Sequence, residues 1–429
     1  MRYRDVFDRK VVYSVLITLA VVLAASWLFK KPEKQMEHLA RHVHAIADPG
    51  FEREMAVLMG PDVLPGNRIT PLENGDQIFP AMLEAIGSAK RSITFETYIY
   101  WSGQVGDAFA KALEDRARAG VHVHVMLDWF GSQKMKKEML EAMKKSGVEV
   151  LRYHPLSWND TTRLNDRTHR KLLVVDGTVG FIGGVGIADQ WSGHAQDKDH
   201  WRDMHFRVEG PAVAEMQSAF LDDWIKSTGS VLHGDDYFPP LSPAGDLKAH
   251  LFFSSPSGGS ASMHLMYLLS IAAATRSIDI EASYFVPDRL MIEALKQARL
   301  RGVRVRVLVP SDEHMDSETI KLASQHDWGD LLKAGVEFHI YQPTMLHCKM
   351  LVLDGHMVSV GSTNFDMRSF ELNDEASLNV YDDGFARTMS QVFEDDLSHS
   401  TPFTYDMWKH RPWTKKLSEW FVMPVHGQL

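Results

Sequence analysis

The chain has 429 residues, 45% of them hydrophobic and 24% charged, a formal charge of −10 and a single cysteine, Cys348. The acidic balance argues against a broad nucleic-acid footprint, which takes an excess of Lys and Arg. One cysteine excludes an internal disulfide and a zinc site built on several cysteines.

Val11 to Phe29 run for 19 residues without a charge, roughly 28 Å as a helix at ~1.5 Å per residue. Arg2, Arg4, Arg9 and Lys10 precede this run, and Lys30, Lys31 and Lys34 follow it. A cleavable signal peptide is the competing reading, with Ala24-Ala25-Ser26 as a cleavage-like site. The run continues through Trp27 and Phe29, beyond a usual signal core. Residues 1–35 are therefore expected to form a single-pass membrane anchor, followed by a linker at 36–65. Basic residues at both ends leave its orientation, and so the membrane face, open.

From there the chain reads as one unit used twice. AIGSAKRSITFETYIYW (Ala85–Trp101) is echoed by SIAAATRSIDIEASYFV (Ser270–Val286), each a helix end, Arg-Ser-Ile and a strand holding a glutamate, Glu96 or Glu281. FAKALEDRARAGVHVHVMLD (Phe109–Asp128) is echoed by MIEALKQARLRGVRVRVLVP (Met291–Pro310), with helical spacing that turns to β alternation after a glycine. SGVEVLRYH (Ser146–His154) matches AGVEFHIYQ (Ala334–Gln342). Last, THRKLLVVDGTVGFIGGVGIAD (Thr168–Asp189) matches LHCKMLVLDGHMVSVGSTNFDM (Leu346–Met367), and His169, Lys171, Asp176 and Gly183 recur 178 residues later as His347, Lys349, Asp354 and Gly361. Helix and strand in alternation, twice, predict two α/β lobes with mixed sheets packed together. They are joined through the Pro-, Gly- and Ser-containing stretch Gly229–Gly259.

In His-x-Lys on a strand, the His and Lys point to one face and the middle residue to the other. The first copy carries Arg170 where the second has Cys348, so Cys348 reads as a buried filler and not as a nucleophile. Two histidines and two lysines converging between the copies make a cationic pocket suited to a phosphodiester without metal or cofactor. The lysines would neutralise non-bridging oxygens; one histidine would attack phosphorus and the other protonate the leaving alcohol. Symmetry does not say which does which. Acids that orient the histidines through their other ring nitrogens are sought downstream, where DMHFRV (Asp203–Val208) aligns with EASLNV (Glu375–Val380) and pairs Asp203 with Glu375. Glu96 and Glu281, on equivalent strands, are further supporting candidates.

HxK-x4-D-x6-G, twice in one chain, resembles the phospholipase D superfamily, and the wording around it resembles its bacterial cardiolipin synthases. The resemblance covers about Leu72 to Asp382, including LENGDQIFPAMLEAIGSAKRSITFETYIYW and RSFELNDEASLNVYD. It implies duplicated lobes at 66–230 and 245–400, two mixed β-sheets flanked by helices, with the active site at the pseudo-twofold interface. It also implies His169 as nucleophile, His347 as general acid and base, Lys171 and Lys349 on phosphate, and Asp176 and Asp354 in the fold and charge network around the catalytic set. In the second motif Ser362 and Asn364 of GSxN would bind substrate; the first has Gly184 and Gly186 instead and lacks that side-chain donor.

The anchor and the acidic charge favour a lipid substrate over nucleic acid. The expected function is a cardiolipin-synthase-like phosphatidyltransferase acting through a phosphohistidine. Its substrates would be membrane phospholipids, with phosphatidylglycerol or a similar donor and a lipid or small alcohol as acceptor, at a bacterial cell membrane. A hydrolytic phospholipase D and a nuclease of the same superfamily are the alternatives. The tail at 401–429 adds an amphipathic face, Trp413, Leu417, Trp420 and Phe421 beside Lys415 and Lys416, and the loop Trp191–Asp203 is placed to gate the pocket. Donor head group and oligomeric state are not legible.

Overall fold

The computed structural model describes residues 38–60, 62–155, 166–255, 262–317 and 324–416, with 18 and 321 besides. The apolar run read as an anchor, apart from residue 18, and the tail from 417 on lie outside these residues. Among the described residues no helix is long and apolar enough to cross a membrane.

The first half contributes strands β1 (Leu64–Glu73), β2 (Ser92–Thr97), β3 (His122–Asp128), β4 (Glu149–Tyr153), β5 (Arg167–Thr168), β6 (Leu172–Val175), β7 (Val179–Gly183) and β8 (Met204–Glu209). The second contributes β9 (Leu247–Ser254), β10 (Ser277–Ala282), β11 (Phe285–Val286), β12 (Arg304–Pro310), β13 (Glu337–Tyr341), β14 (Lys349–Leu353), β15 (Met357–Gly361), β16 (Phe365–Asp366), β17 (Asn373–Tyr381) and β18 (Ser400–Phe403). The first half runs β1-β8-β7-β6-β2-β3-β4 and the second β9-β17-β15-β14-β10-β12-β13, the same order twice. Two separate packed sheets were expected. Instead β1 and β9 pair antiparallel, Leu64 opposite Ala249 and Asn67 opposite Leu247, and join the halves edge to edge in one sixteen-stranded sheet. The counterpart of β1 is thus β9, which lies within the stretch read as a link; the irregular connection is only about 230–246.

The repeated helix–strand series forms parallel ladders. β2, β3 and β4 are parallel, as are β10, β12 and β13. The first-half crossovers pass through helices α3 (Gln104–Arg118) and α4 (Lys137–Lys145), which follow α1 (Pro49–Met59) and α2 (Asn74–Ser88). The crossover from β6 to β7 is instead a tight hairpin. Asp176 and Gly177 have φ of 53° and 63°, Asp354 and Gly355 φ of 53° and 60°. Asp-Gly with both residues left-handed is the turn that matches strand twist, so each motif ends in a hairpin by local chemistry. β6 is buried on both faces, with Leu172 and Val174 in a core with helix α5 (Ala212–Thr228) and Leu173 and Val175 in a core with α2 and α3. Helices therefore cover both sides of the sheet, which explains a continuous apolar run where alternation would mark a half-exposed strand.

Candidate active site

The strand period places each motif. His169 follows β5 and Lys171 precedes β6; His347 precedes β14, which Lys349 begins. Lys171 Nζ donates to the His169 carbonyl at 2.8 Å. Lys349 Nζ donates to the His347 carbonyl at 2.7 Å and to Ser283 Oγ at 2.6 Å. The middle residues, Arg170 and Cys348, turn inward and are fully buried. Burial pushes the Cys348 thiol well above its ordinary range, with Glu281 adding to it, so the filler reading of this cysteine holds.

Asp203 and Glu375 do hold the histidines, but each crosses to the other half. His169 Nδ1 lies 2.9 and 3.1 Å from the two carboxylate oxygens of Glu375. His347 Nδ1 lies 2.7 Å from Asp203 Oδ2. The crossing follows from backbone pairing between the halves. β5 runs parallel to β17, Thr168 opposite Asp374, and His169 N–H donates to the Asp374 carbonyl at 2.9 Å. Symmetrically, Arg202 bridges Leu346 and His347 N–H donates to the Arg202 carbonyl at 2.7 Å. Each histidine is thereby set beside the acid that follows its partner residue.

Burial dominates the electrostatics. It brings His169 down to about 4, with Glu375 opposing and Lys171 reinforcing the shift; the ring is neutral at pH 7, with Nε2 free to attack if Glu375 accepts the Nδ1 proton. Burial lowers Lys171 to about 7 and Lys349 to about 8, against their acidic neighbours. His347 is lowered by burial and by Lys349, while Asp203 opposes. For both acids burial works upward, but their histidines and lysines outweigh it and hold Asp203 and Glu375 below the usual carboxylate range.

Both histidines open into one cavity of about 340 Å³, lined also by Lys171, Arg167, Arg368, Asn364 and Tyr98. Asn364 is buried on this cavity, and among the described residues its Oδ1 has no hydrogen-bond partner. Ser362 does not reach the cavity: it is fully buried and its hydroxyl donates to Glu375 Oε2. The substrate-binding expectation for Ser362 is corrected to support of Glu375.

Asp176 and Asp354, grouped with the catalytic set, are likewise outside the cavity. Asp176 accepts from the N–H groups of Lys90, Arg91 and Ser92. Asp354 accepts from those of Thr275, Arg276 and Ser277 and from Thr275 Oγ1. They tie the hairpin turn to the start of β2 or β10 because a left-handed turn points the carboxylate at those free amides. Glu96 and Glu281 are buried and also off the cavity. Glu96 accepts from Thr168 Oγ1, beside His169, and Glu281 sits with Cys348 and Asp396. Burial, aided by Asp223 or Asp396, pushes both well above the usual carboxylate range.

Reading by strand alternation missed what the middle residues do. Arg170 lies 3.0 Å from Asp222, 3.1 Å from Asp223 and 3.7 Å from Asp374. Arg202 lies 2.9 Å from Asp396 and 3.2 Å from Glu73. Each acidic cluster that has metal-like spacing among the described residues thus meets a guanidinium. The arginine comes from the motif in one half and from the residue before the opposing acid in the other, which explains why Cys348 can stand where Arg170 does. Sequence also gives no signal for Tyr98, whose ring packs on His169 with centroids 5.1 Å apart. The loop expected to gate the pocket is instead part of its wall: Trp191 is buried, and Trp201 packs on both Trp191 and His347. The loop histidines lie apart from that wall, His194 against Asp76 and His200 against Asp197.

Known proteins resemble this chain in sequence and in fold. Residues 82–224 and 267–397 match the family model described as cardiolipin synthase, PLD-like domain. Cardiolipin synthase 1 of Bacillus anthracis is 34% identical over 82% of this chain and 70% of its own length. The cardiolipin synthase of Geobacillus sp. (strain WCH70) is 34% identical over 81% of this chain and 70% of its own. Among solved structures, phosphatidylserine synthase of Haemophilus influenzae Rd KW20 superposes with a TM-score of 0.69 at 14% identity, covering 89% of this chain and all of that one.

Proposed function

The chain belongs to the cardiolipin synthase, PLD-like family and is an enzyme of the phospholipase D superfamily, and from that premise we propose that it transfers a phosphatidyl group between phospholipids. The observation that carries the reading is the pair of histidines, each backed by an acid of the opposite half, on one cavity with Lys171 and Asn364.

In the first step His169 Nε2 attacks the phosphorus of a donor such as phosphatidylglycerol. The bond from phosphorus to the head-group oxygen breaks, and His347 gives its Nε2 proton to that oxygen. The phosphodiester's negative charge offsets the burial and the nearby Lys349 that lower His347. Lys171 and Lys349 neutralise the phosphoryl oxygens. In the second step an acceptor hydroxyl returns its proton to His347 and attacks phosphorus, and the bond to His169 breaks. His169, neutral at pH 7 because burial lowers it to about 4, suits the nucleophile. His347 is left as the acid and base, the division that the resemblance to the phospholipase D superfamily implies. Residues 66–230 and 245–400 act as the two lobes, and residues 1–35 hold the enzyme at a bacterial membrane.

The test is to incubate the detergent-purified protein with phosphatidylglycerol, with and without phosphatidylethanolamine and glycerol, and identify products by mass spectrometry. Cardiolipin is expected. Phosphatidic acid alone would replace transfer by hydrolysis, and cleavage of single-stranded DNA without action on lipid would overturn the lipid reading.

A further inference from the structure

The halves hold their two histidine–acid pairs by different means. In the second half Ser362, which opens the turn after β15, donates its hydroxyl to Glu375 Oε2. The matching residue after β7 is Gly184, and a Cβ there would fall 2.1 Å from Asp203 Oδ1. No hydroxyl fits. Asp203 takes its donor from elsewhere: Trp191 Nε1 donates to Oδ2 at 2.8 Å, the same oxygen that meets His347 Nδ1 at 2.7 Å. Met204 N–H donates to Oδ1 at 2.8 Å and, among the described residues, completes the carboxylate's hydrogen-bond partners.

The same indole fills the space left by the second missing side chain. A Cβ on Gly186 would lie 3.1 Å from the Trp191 six-membered ring and 2.7 Å from Ile99 Cβ. Where the second motif has Asn364 facing the cavity, the first has this ring, edge-on to the His347 imidazole with centroids 5.2 Å apart. The loop is pinned so that the ring cannot drift. Gly75 packs its α-carbon so close to the Trp191 carbonyl that a Cβ would come within 2.0 Å, and Trp201 N–H donates to the Gln190 carbonyl at 2.7 Å.

We propose that Trp191 is the positioning residue of the first half: its indole N–H orients Asp203, and through it His347, as the Ser362 hydroxyl orients Glu375 and His169. The exchange of Ser and Asn for Gly184 and Gly186 is then compensated and not merely a loss. The inference rests on the roles given above to Asp203 and His347. Other charged and titratable groups near this pair are Lys349, Lys171, Asp316 and His205, and none of them changes in the variants below.

Trp191→Phe keeps a ring and removes the donor. With phosphatidylglycerol in mixed micelles, kcat should fall roughly ten- to thirtyfold, as for loss of one hydrogen bond to a charged group, with KM within about twofold. The pH limb belonging to His347 should move. In an Asp203→Asn background the same change should cost less than twofold, because Trp191 acts through that carboxylate. Equal losses in both backgrounds, or a raised KM with unchanged kcat, would overturn the proposal. The cycle is read on whichever turnover the wild type shows, transfer or hydrolysis. If the wild type is inert toward lipid, or Trp191→Phe does not fold, the intact chain with 15N-labelled indoles decides. Asp203→Asn should move one exchange-protected indole N–H resonance strongly upfield, and an unchanged indole spectrum overturns the proposal.

Discussion

Glu375→Gln is the substitution that best separates the crossed arrangement from a same-half one. The amide is the same size as the carboxylate, so packing around this fully buried side chain survives. What changes is the acceptor for His169 Nδ1, now 2.9 and 3.1 Å away, which also accepts from Ser362 and, at 3.3 Å, from Asn373 Nδ2. Loss of a charge-assisted hydrogen bond costs about 1.5–3 kcal/mol. A glutamine NH2 turned toward Nδ1 also drives the ring proton to Nε2 and blocks the attacking lone pair, as a tautomer error does in other histidine–acid pairs. Together about 2–5 kcal/mol, or roughly a 30- to 5,000-fold loss of rate, is expected. The assay compares phosphatidylglycerol with a phosphatidyl ester of p-nitrophenol, whose leaving group needs no proton. Glu375→Gln should be slow on both, because it disables the nucleophile. Asp203→Asn should be slow on phosphatidylglycerol but release a near-normal first-turnover burst of p-nitrophenol from the activated ester, because that leaving group needs no proton from His347 and only the second step still does. The opposite pattern would refute both the crossing and the assignment of roles.

Lys171→Met should abolish most turnover yet raise the melting temperature at neutral pH. Burial holds Lys171 at about 7, so between pH 7 and its ordinary 10.5 the unfolded chain binds a proton that the folded chain has shed. Stability therefore rises with pH across that window, and the penalty is fully present below it. The wild-type kcat/KM should decline above about pH 7–8 as Lys171 and Lys349 lose charge; a flat profile to pH 9 would contradict this. Asp176→Asn should lower stability by about 1–3 kcal/mol through weakened acceptance of backbone N–H groups, with kcat of the folded fraction unchanged in a denaturant titration matched to activity. Cys348→Ala should keep activity within about twofold and resist no reagent that the wild type does not, measured by thiol labelling of the native state. Gly186→Asn, which must displace Ile99 or Trp191, should harm transfer and hydrolysis alike, whereas Asn364→Ala should cost about ten- to hundredfold by removing one contact to phosphate.

Local rules made much of this protein legible. A two-residue strand period dictates that His and Lys of each motif share a side and that Arg170 and Cys348 face away. Asp-Gly dictates a hairpin, and repetition of the whole series dictates a duplicated α/β architecture with equivalent histidines. Each of these is a matter of residues within a few positions of one another. The tertiary structure decided what depends on contacts between distant segments. β1 meets β9, so two half-sheets become one. β5 lies against β17 and Arg202 against Leu346, so Asp203 serves His347 and Glu375 serves His169, a crossing that symmetry of sequence leaves undetermined. Asp176 looks catalytic by its place in the motif, but a left-handed turn sends its carboxylate to backbone amides. Trp191 looks like a loop aromatic, but its indole stands beside Gly186 and its N–H reaches the Asp203 carboxylate packed on Gly184. A motif records which chemical groups are present; only the packing of one half against the other determines which group each of them faces.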